Sequence, residues 1–195
     1  EAVESFSVAL GKRNELENPL TRRLVSFKLN RMNSLEAEVR RLKEELYAQQ
    51  EVQKEYAREY YLMGNECITK AKDPNAAIRN FNKALKLYPS FVDAWVRKGV
   101  TLLDTGETYE TQVCLNEAVR LSPLSFKARY NRGKCHLLLR NYDEAVNDFL
   151  KAITIKPAHA AAHEYIATAY LHVGEEELLE KHQDIADALR NKKSE

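Results

Sequence analysis

The sequence lacks several features that would point to particular functions. Its 30 Lys and Arg residues balance 29 Asp and Glu, so a formal net charge of +1 gives no basic surface for nucleic acid. No apolar run approaches the roughly 20 residues that a membrane-spanning helix needs. There is no glycine-rich phosphate-binding loop, no GxSxG motif and no HExxH motif. These absences argue against a nucleic-acid-binding protein, a membrane span and the enzyme classes that those motifs mark.

Cysteine is scarce, and its placement predicts no site. Cys67, Cys114 and Cys135 cannot all pair with one another, and none belongs to a CxxC motif. This predicts reduced, structural thiols in an intracellular protein, which we expect to be cytoplasmic. His159 and His163 are four residues apart and could bind a metal from one helix, but no third ligand is near in sequence. We interpret them as surface histidines and predict no metal, no cofactor and no active site.

A unit of 34 residues recurs through most of the chain. Residues 126–157 contain two short amphipathic helices joined at residues 140–142. Four positions of the unit recur. They are a small residue in the first helix, a large apolar residue and an alanine in the second helix, and a closing proline. Gly133 matches Gly99, Phe149 matches Leu115 and Phe81, Ala152 matches Ala118 and Ala84, and Pro157 matches Pro123 and Pro89. A fixed period with two helices per unit predicts a solenoid.

These residues, with Tyr-Asp-Glu-Ala at 142–145, resemble the tetratricopeptide repeat over residues 57–191. The resemblance implies an all-α protein, a right-handed α-solenoid of helix–turn–helix repeats with an N-terminal helical appendage. The repeats would span residues 57–89, 92–123, 126–157 and 160–191. The last helix would be the polar cap that a solenoid requires, because Gln183 stands where the other repeats have a large apolar residue. Gly64 and Gly99 are one residue further apart than the period, and we place the extra residue in the turn at 72–75.

Residues 1–56 lie before the repeats, and more than one interpretation fits them. We expect a helix at 1–10, a loop at 11–18, and then one long helix over 19–56 or two helices with a break at 32–34. The first helix could be the second helix of a truncated repeat, because Ala2 and Ala9 have the spacing of Ala145 and Ala152. The chain begins with Glu1 rather than Met, and we expect it to be a fragment. Alternatively, segment 1–50 is similar in composition to the last two helices of a microtubule-interacting-and-trafficking domain. Leu35, Val39, Leu42 and Leu46 have coiled-coil spacing, and would pack on a neighbouring helix of the chain or on a second copy.

In the family that the chain resembles, the first helices of successive repeats line a concave groove that receives a peptide or a helix. Counted from the small residue of each first helix, the predicted partner-binding residues are Arg58, Tyr61, Asn65, Arg97, Val100, Lys127, Tyr130, Asn131, Lys134 and Tyr165. Val96 is also predicted to face the groove, and Asp93 and Glu164 lie toward its edges. The cations predict an acidic or C-terminal peptide as the partner.

Some members of that family clamp the C-terminal carboxylate of Hsp70 or Hsp90 chaperones with five residues. Asn65 and Lys127 match two of the five positions. Tyr61 and Arg97 replace a Lys and an Asn, and Asn131 replaces an Arg. Two matches in five argue against binding of a chaperone tail.

The sequence therefore predicts a non-enzymatic adaptor or scaffold module that binds a partner protein in the groove. One alternative is a structural element that dimerises through its N-terminal helices. Another is the regulatory arm of an enzyme whose catalytic domain lies outside this chain.

Overall fold

The computed structural model describes residues 19–192, and every regular element within that range is helical. A long helix is followed by a π-helical turn and seven shorter helices. In chain order they are α1 (Pro19–Glu66), the π-helical turn (Cys67–Ala71), α2 (Pro74–Leu87), α3 (Val92–Asp104), α4 (Thr108–Leu121), α5 (Phe126–Leu138), α6 (Tyr142–Ile155), α7 (Ala160–Val173) and α8 (Glu176–Asn191). The prediction of an all-α solenoid is confirmed. The helix and loop predicted for residues 1–18 lie outside the described residues.

The chain divides into two units, Glu1–Val52 and Gln53–Glu195. In the second unit α3, α5 and α7 each pack on the second helix of their own repeat and on the second helix of the repeat before it. The first helices also contact one another, α3 with α5 and α5 with α7. The exact boundary predicted at residues 56 and 57 stays a prediction.

Helix α1 begins at Pro19 and continues through residues 32–34, so of the two alternatives for this segment the structure has the single long helix. The helix passes through Asn33 without interruption. No Gly or Pro lies between residues 20 and 63, and a single Asn inside a helix costs only about 0.7 kcal/mol. The capping signal of Asn33 and Glu36 is therefore too weak to end the helix.

The two helices of each repeat meet at its small residue. A Cβ atom added to Gly64 would lie 2.5 Å from Cε1 of Phe81, and one added to Gly133 would lie 2.8 Å from Cε1 of Phe149. Both phenylalanines are fully buried. The small residue thus makes room for the large side chain of the facing helix, as the repeat predicts.

The extra residue of the first repeat lies in the π-helical turn rather than in the turn at 72–75. In the later repeats the amide that precedes the second helix donates to a carbonyl five residues back, as Glu107 does to Leu102. The corresponding amide of Asp73 reaches six residues back, to the carbonyl of Cys67. A π-helical turn holds one more residue than an α-helical turn and absorbs the insertion there.

One hydrogen bond recurs between repeats although its donor changes. The carbonyl of each closing proline accepts from a side chain six residues later: Trp95 Nε1 to Pro89 at 2.8 Å, Arg129 Nε to Pro123 at 2.7 Å, and a 3.0 Å contact between His163 Nε2 and Pro157. The prediction that His163 is a surface residue is wrong, because its ring is buried between α7 and α8. His159 instead caps α7, accepting a hydrogen bond from the Ala162 amide at 3.2 Å.

Candidate functional site

The predicted groove residues lie on α1, α3, α5 and α7, the first helices of the four repeats. We call the side of α3, α5 and α7 that carries the predicted groove residues the first-helix face. These residues are Arg97, Val100, Lys127, Tyr130, Asn131, Lys134 and Tyr165. Because α5 contacts both α3 and α7, residues of neighbouring repeats meet on this face. The contacts below show which predicted residues come together.

An ion pair joins the second and third repeats. Lys127 Nζ on α5 lies 2.9 Å from Asp93 Oδ1 on α3, and both side chains remain at least half exposed. The two residues are 34 positions apart, so they occupy the same place in successive repeats. Arg97 lies one turn further along α3 and is exposed. Between the second and third repeats, the cationic character of the face therefore rests on Arg97 together with a lysine that already has a carboxylate partner.

Val96 does not face a groove, which corrects its prediction. It is buried in a cluster with Ala118, Val119 and Ala128, and Val100 packs against the edge of the same cluster while staying partly exposed. Val96 occupies the place that Tyr130 holds one repeat later. A short apolar side chain at that place is covered by the neighbouring helices, whereas a tyrosine extends beyond them.

Aromatic side chains form a continuous cluster between the third and fourth repeats. Tyr130 on α5 contacts Tyr165 on α7 with ring centroids 5.7 Å apart, and the Tyr165 ring stacks on Phe149 at 5.6 Å. Phe126 and His159 extend the cluster, since each ring lies about 5 Å from the Tyr130 ring (5.5 and 5.1 Å). Sequence analysis missed these two residues, although each flanks the start of a first helix.

Charge surrounds this aromatic cluster. Lys134 Nζ lies 5.7 Å from the centre of the Tyr165 ring, a cation–π distance. Burial, followed by the nearby Tyr165 and Glu164, raises the pKa of Tyr130 to about 12. The Tyr130 hydroxyl therefore stays neutral and can act as a hydrogen-bond donor at physiological pH. Glu164 forms an ion pair with Arg190 of α8, and Arg190 partly neutralises the negative charge of Glu164 beside the cluster.

The remaining predicted residues are more constrained. Arg58 pairs with Glu55 on its own helix, and the Tyr61 ring packs between Phe81 and Phe91 at 6.0 and 5.0 Å. Asn131 donates its side-chain amide to the Lys127 carbonyl at 2.8 Å. Asn65 is half buried, and within residues 19–192 its Oδ1 has no hydrogen-bond partner. Asn65 and Lys127, the two residues that match the chaperone clamp, are thus both less available than their sequence positions suggest.

A second polar cluster is buried under α5 and was not predicted. Asp148, which is 1% exposed, receives two hydrogen bonds from Arg132, at 2.6 and 2.7 Å, and one from Arg129 at 3.0 Å. His136 lies beside it, and burial lowers the pKa of His136 more than the Asp148 carboxylate raises it. This cluster fixes α5 on α6 and so orients the first-helix face.

Within residues 19–192 there is no cluster of three or more His, Cys, Asp or Glu side chains that could hold a metal ion. The three cysteines are free thiols, and burial raises the pKa of Cys114 and of Cys135. No helix in the described part of the chain is long and apolar enough to cross a membrane.

Comparison with known proteins identifies the architecture. Models of the tetratricopeptide repeat match residues 70–108 and residues 126–159. A solved structure of MamA superimposes with a TM-score of 0.66 at 23% identity, covering 71% of this chain and 80% of that one. The first tetratricopeptide domain of Spaghetti (RPAP3), bound to the HSP90 peptide SRMEEVD, superimposes with a TM-score of 0.60 at 18% identity, covering 62% of this chain and 95% of that one.

Curated relatives share segments of the sequence. The inactive TPR repeat-containing thioredoxin TTL3 of Arabidopsis thaliana is 33% identical over 86 residues, which are 44% of this chain and 12% of that protein. Human DnaJ homolog subfamily C member 7 is 29% identical over 125 residues, 64% of this chain and 25% of that protein. The chain therefore spans a quarter or less of the length of these relatives.

The helix pairs, their fixed period and their stacking define an α-solenoid built from repeats. Together with the family matches over residues 70–108 and 126–159, they show that the chain contains tetratricopeptide repeats.

Proposed function

We propose that residues 57–191 form a non-enzymatic interaction module, which binds a peptide or helix of a partner protein along the first-helix face. The observation that carries this proposal is the contact of α5 with both α3 and α7. This contact brings Lys127 beside Asp93 and Lys134 over the Tyr165 ring. One bound peptide would therefore contact residues of three repeats. Residues 1–56 are then an appendage to the binding module.

The chemistry of the face favours an acidic or C-terminal segment. Arg97, Lys127 and Lys134 supply charge-assisted donors, and hydrogen bonds to ionised groups contribute more than neutral ones. Tyr130 and Tyr165 supply apolar walls between them. A carboxylate of the ligand would replace Asp93 as the partner of Lys127. The RPAP3 domain named above, which shares the fold, is bound to a peptide with three acidic side chains, but the clamp residues match at only two positions here.

A display library of random octapeptides with free C-termini tests the proposal. We expect selection of peptides rich in Asp and Glu, and calorimetry of a selected peptide should show at least tenfold weaker binding to Arg97→Glu. The matched control is Lys151→Glu, a charge reversal on the exposed surface of α6. Asp93→Asn should bind more tightly than the wild type, because it leaves Lys127 without its internal partner. Equal affinity of Arg97→Glu and Lys151→Glu would contradict the proposal.

A second function, dimerisation through α1, is supported by a separate observation. Leu35, Val39, Leu42 and Leu46 are all about half exposed, so none is covered within the described residues by the packing that sequence analysis considered. An exposed apolar stripe of this length on a protein surface usually marks an interaction site. Sedimentation equilibrium at several concentrations tests whether the chain forms a dimer.

A further inference from the structure

The N-terminal part of α1 carries one long apolar stripe rather than two short ones. Because the helix continues through Asn33, the apolar positions before and after that residue lie on one side. Leu24, Phe27, Leu35, Val39, Leu42 and Leu46 are each 49–66% exposed. All of these residues belong to the first unit of the chain.

The spacing of this stripe reads the same from either end. Between residues 24 and 42 its positions are 24, 27, 31, 35, 39 and 42, with steps of 3, 4, 4, 4 and 3. A further step of 4 on each side reaches Leu20 and Leu46. The pattern is therefore symmetric about Asn33, and only Arg31 interrupts its apolar character.

We propose that two copies of the chain pair through residues 20–46 of α1 in antiparallel orientation, with a twofold axis at Asn33. This inference rests on the second function proposed above and adds to it the orientation and register of the pair. Antiparallel pairing at this register places Leu24 opposite Leu42 of the second copy, and Phe27 opposite Val39 of the second copy.

The charges beside the stripe favour the antiparallel arrangement. At 100° per residue, Arg23 and Glu45 flank the stripe on one side, and Lys28 and Glu36 flank it on the other. In an antiparallel pair, equivalent sides of the two helices face each other. Lys28 then lies near Glu36 of the second copy, an attractive pair. Arg23 lies near Glu45 of the second copy, whose carboxylate is also 3.4 Å from Arg41 Nε of its own helix.

A parallel pair of the same helices is disfavoured by like charges. Opposite sides of the two helices would then face each other, which puts Arg23 near Lys28 of the second copy. Arg31 would also lie directly opposite Arg31 of the second copy within the seam. In the antiparallel pair Arg31 instead lies opposite Leu35, where its aliphatic part can pack.

The paired segment is long enough for a stable coiled coil. Residues 20–46 span about 40 Å at about 1.5 Å per residue, close to four heptads. A sustained seam of three to four heptads is the usual requirement. The coiled-coil spacing noted from sequence alone covered only Leu35, Val39, Leu42 and Leu46.

Sedimentation equilibrium of the full chain tests whether the pair forms. We expect a dimer for the wild type and at least a tenfold rise in the dissociation constant for Leu42→Lys. The matched control is Leu124→Lys, because Leu124 is 81% exposed and lies outside α1. A wild-type chain that stays monomeric at about 100 μM, where a dimer with a dissociation constant of about 1 μM would be almost fully formed, would overturn both the dimer and its orientation.

Spin-label distances test the orientation separately. In a Cys67→Ser background, labels at Glu44→Cys in an antiparallel dimer are separated along the axis by 22 residues, about 33 Å. In a parallel dimer they lie side by side with no axial separation. Labels at Ser34→Cys, next to the axis, are the control and should be close together in either arrangement. A dimer with closely spaced Glu44→Cys labels would overturn the antiparallel pair alone.

Charge reversal tests the register. Lys28→Glu and Glu36→Lys each turn two attractive pairs of the dimer into repulsive ones, and we expect each to raise the dissociation constant about tenfold. The double variant Lys28→Glu/Glu36→Lys restores the pairs and should return the dissociation constant to within about threefold of the wild type. If the double variant is as weak as the single ones, the proposed register is wrong.

Discussion

At the scale of single residues, Gly133 marks the closest approach of α5 and α6. Any side chain there must displace Phe149, which is fully buried and in contact with both tyrosines of the aromatic cluster. We predict that Gly133→Leu lowers the free energy of unfolding by more than about 2 kcal/mol through overpacking. Thermal and urea unfolding measure this, with Lys151→Leu on the exposed side of α6 as the control. An unchanged melting temperature for Gly133→Leu would show that the assigned repeat register is wrong.

Asp148 is the other residue on which α5 and α6 depend. Its carboxylate neutralises Arg129 and Arg132, whose side chains are only 12% and 20% exposed. Asp148→Asn removes that charge but keeps the shape, so we expect a loss of about 3–5 kcal/mol of stability, the usual result of breaking a buried pair. Denaturant unfolding checks this prediction. Asp143→Asn, an exposed change on the same helix, should stay within about 1 kcal/mol of the wild type.

Sequence patterns predict single residues well where one geometry repeats, and poorly where partners change. The Gly and Phe positions recur at a fixed spacing, so the contact between them follows from the alignment of the repeats. Asp148 occurs once, in a position that is Cys114 in the preceding repeat, and its two arginines lie on a different helix. Nothing in the spacing of a single repeat links those three residues.

At the scale of elements, two buried histidines meet in the contact between α7 and α8. The Nδ1 atoms of His163 and His182 are 2.9 Å apart, and His163 Nε2 donates to the Pro157 carbonyl. With the His163 proton assigned to Nε2, its Nδ1 atom accepts from the Nδ1–H group of His182. A charge on the His182 ring would lose its hydration in this contact, so the folded state favours the uncharged His182 ring.

This contact predicts a loss of stability in mild acid. Burial, then the adjacent His163 and Lys181, lower the pKa of His182, with the Tyr170 ring stacked beside it. Since the unfolded chain then binds more protons than the folded one below about pH 6.5, stability should fall as the pH drops through that value. We expect a loss of about 1–2 kcal/mol between pH 6.5 and 5.

The measurement is the free energy of unfolding as a function of pH for the wild type and for His182→Phe. The variant should show a smaller loss, because one titrating ring has been removed. His136 remains as a second buried histidine with a lowered pKa, so some dependence should persist in both proteins. Identical pH profiles for the two proteins would contradict the role given to the histidine pair.

Elements that repeat were predictable, and irregular ones were not. The period of 34 locates α3 to α8, since each begins and ends at recurring signals. It also shows that one residue is inserted after Gly64, but spacing alone cannot distinguish the π-helical turn from the turn at 72–75. Sequence alone left one helix or two open at Asn33, and the structure has one because a local capping signal competes with many uninterrupted helical bonds.

At the scale of the whole molecule, a stack of repeats should be least stable at its exposed end. Among the described helices, α5 and α6 have extensive contacts with neighbours on both sides, whereas the extensive contact of α8 is with α7. The stability of such a stack is approximately a sum over neighbouring interfaces. Opening α8 breaks one interface, and opening α5 or α6 breaks at least two.

Native-state hydrogen exchange should therefore rank the helices by position. We expect the amides of α8 to exchange with a lower opening free energy than those of α5 and α6, by at least about 2 kcal/mol. The difference should widen at pH 5, because protonation of His182 weakens the interface between α8 and α7. Gly133→Leu is the informative comparison, since it weakens the centre of the stack and should bring the two groups of amides together. Uniform exchange across α5, α6 and α8 in the wild type would mean that residues 53–192 unfold as one cooperative unit, and that interfaces between repeats are stronger than the repeats themselves.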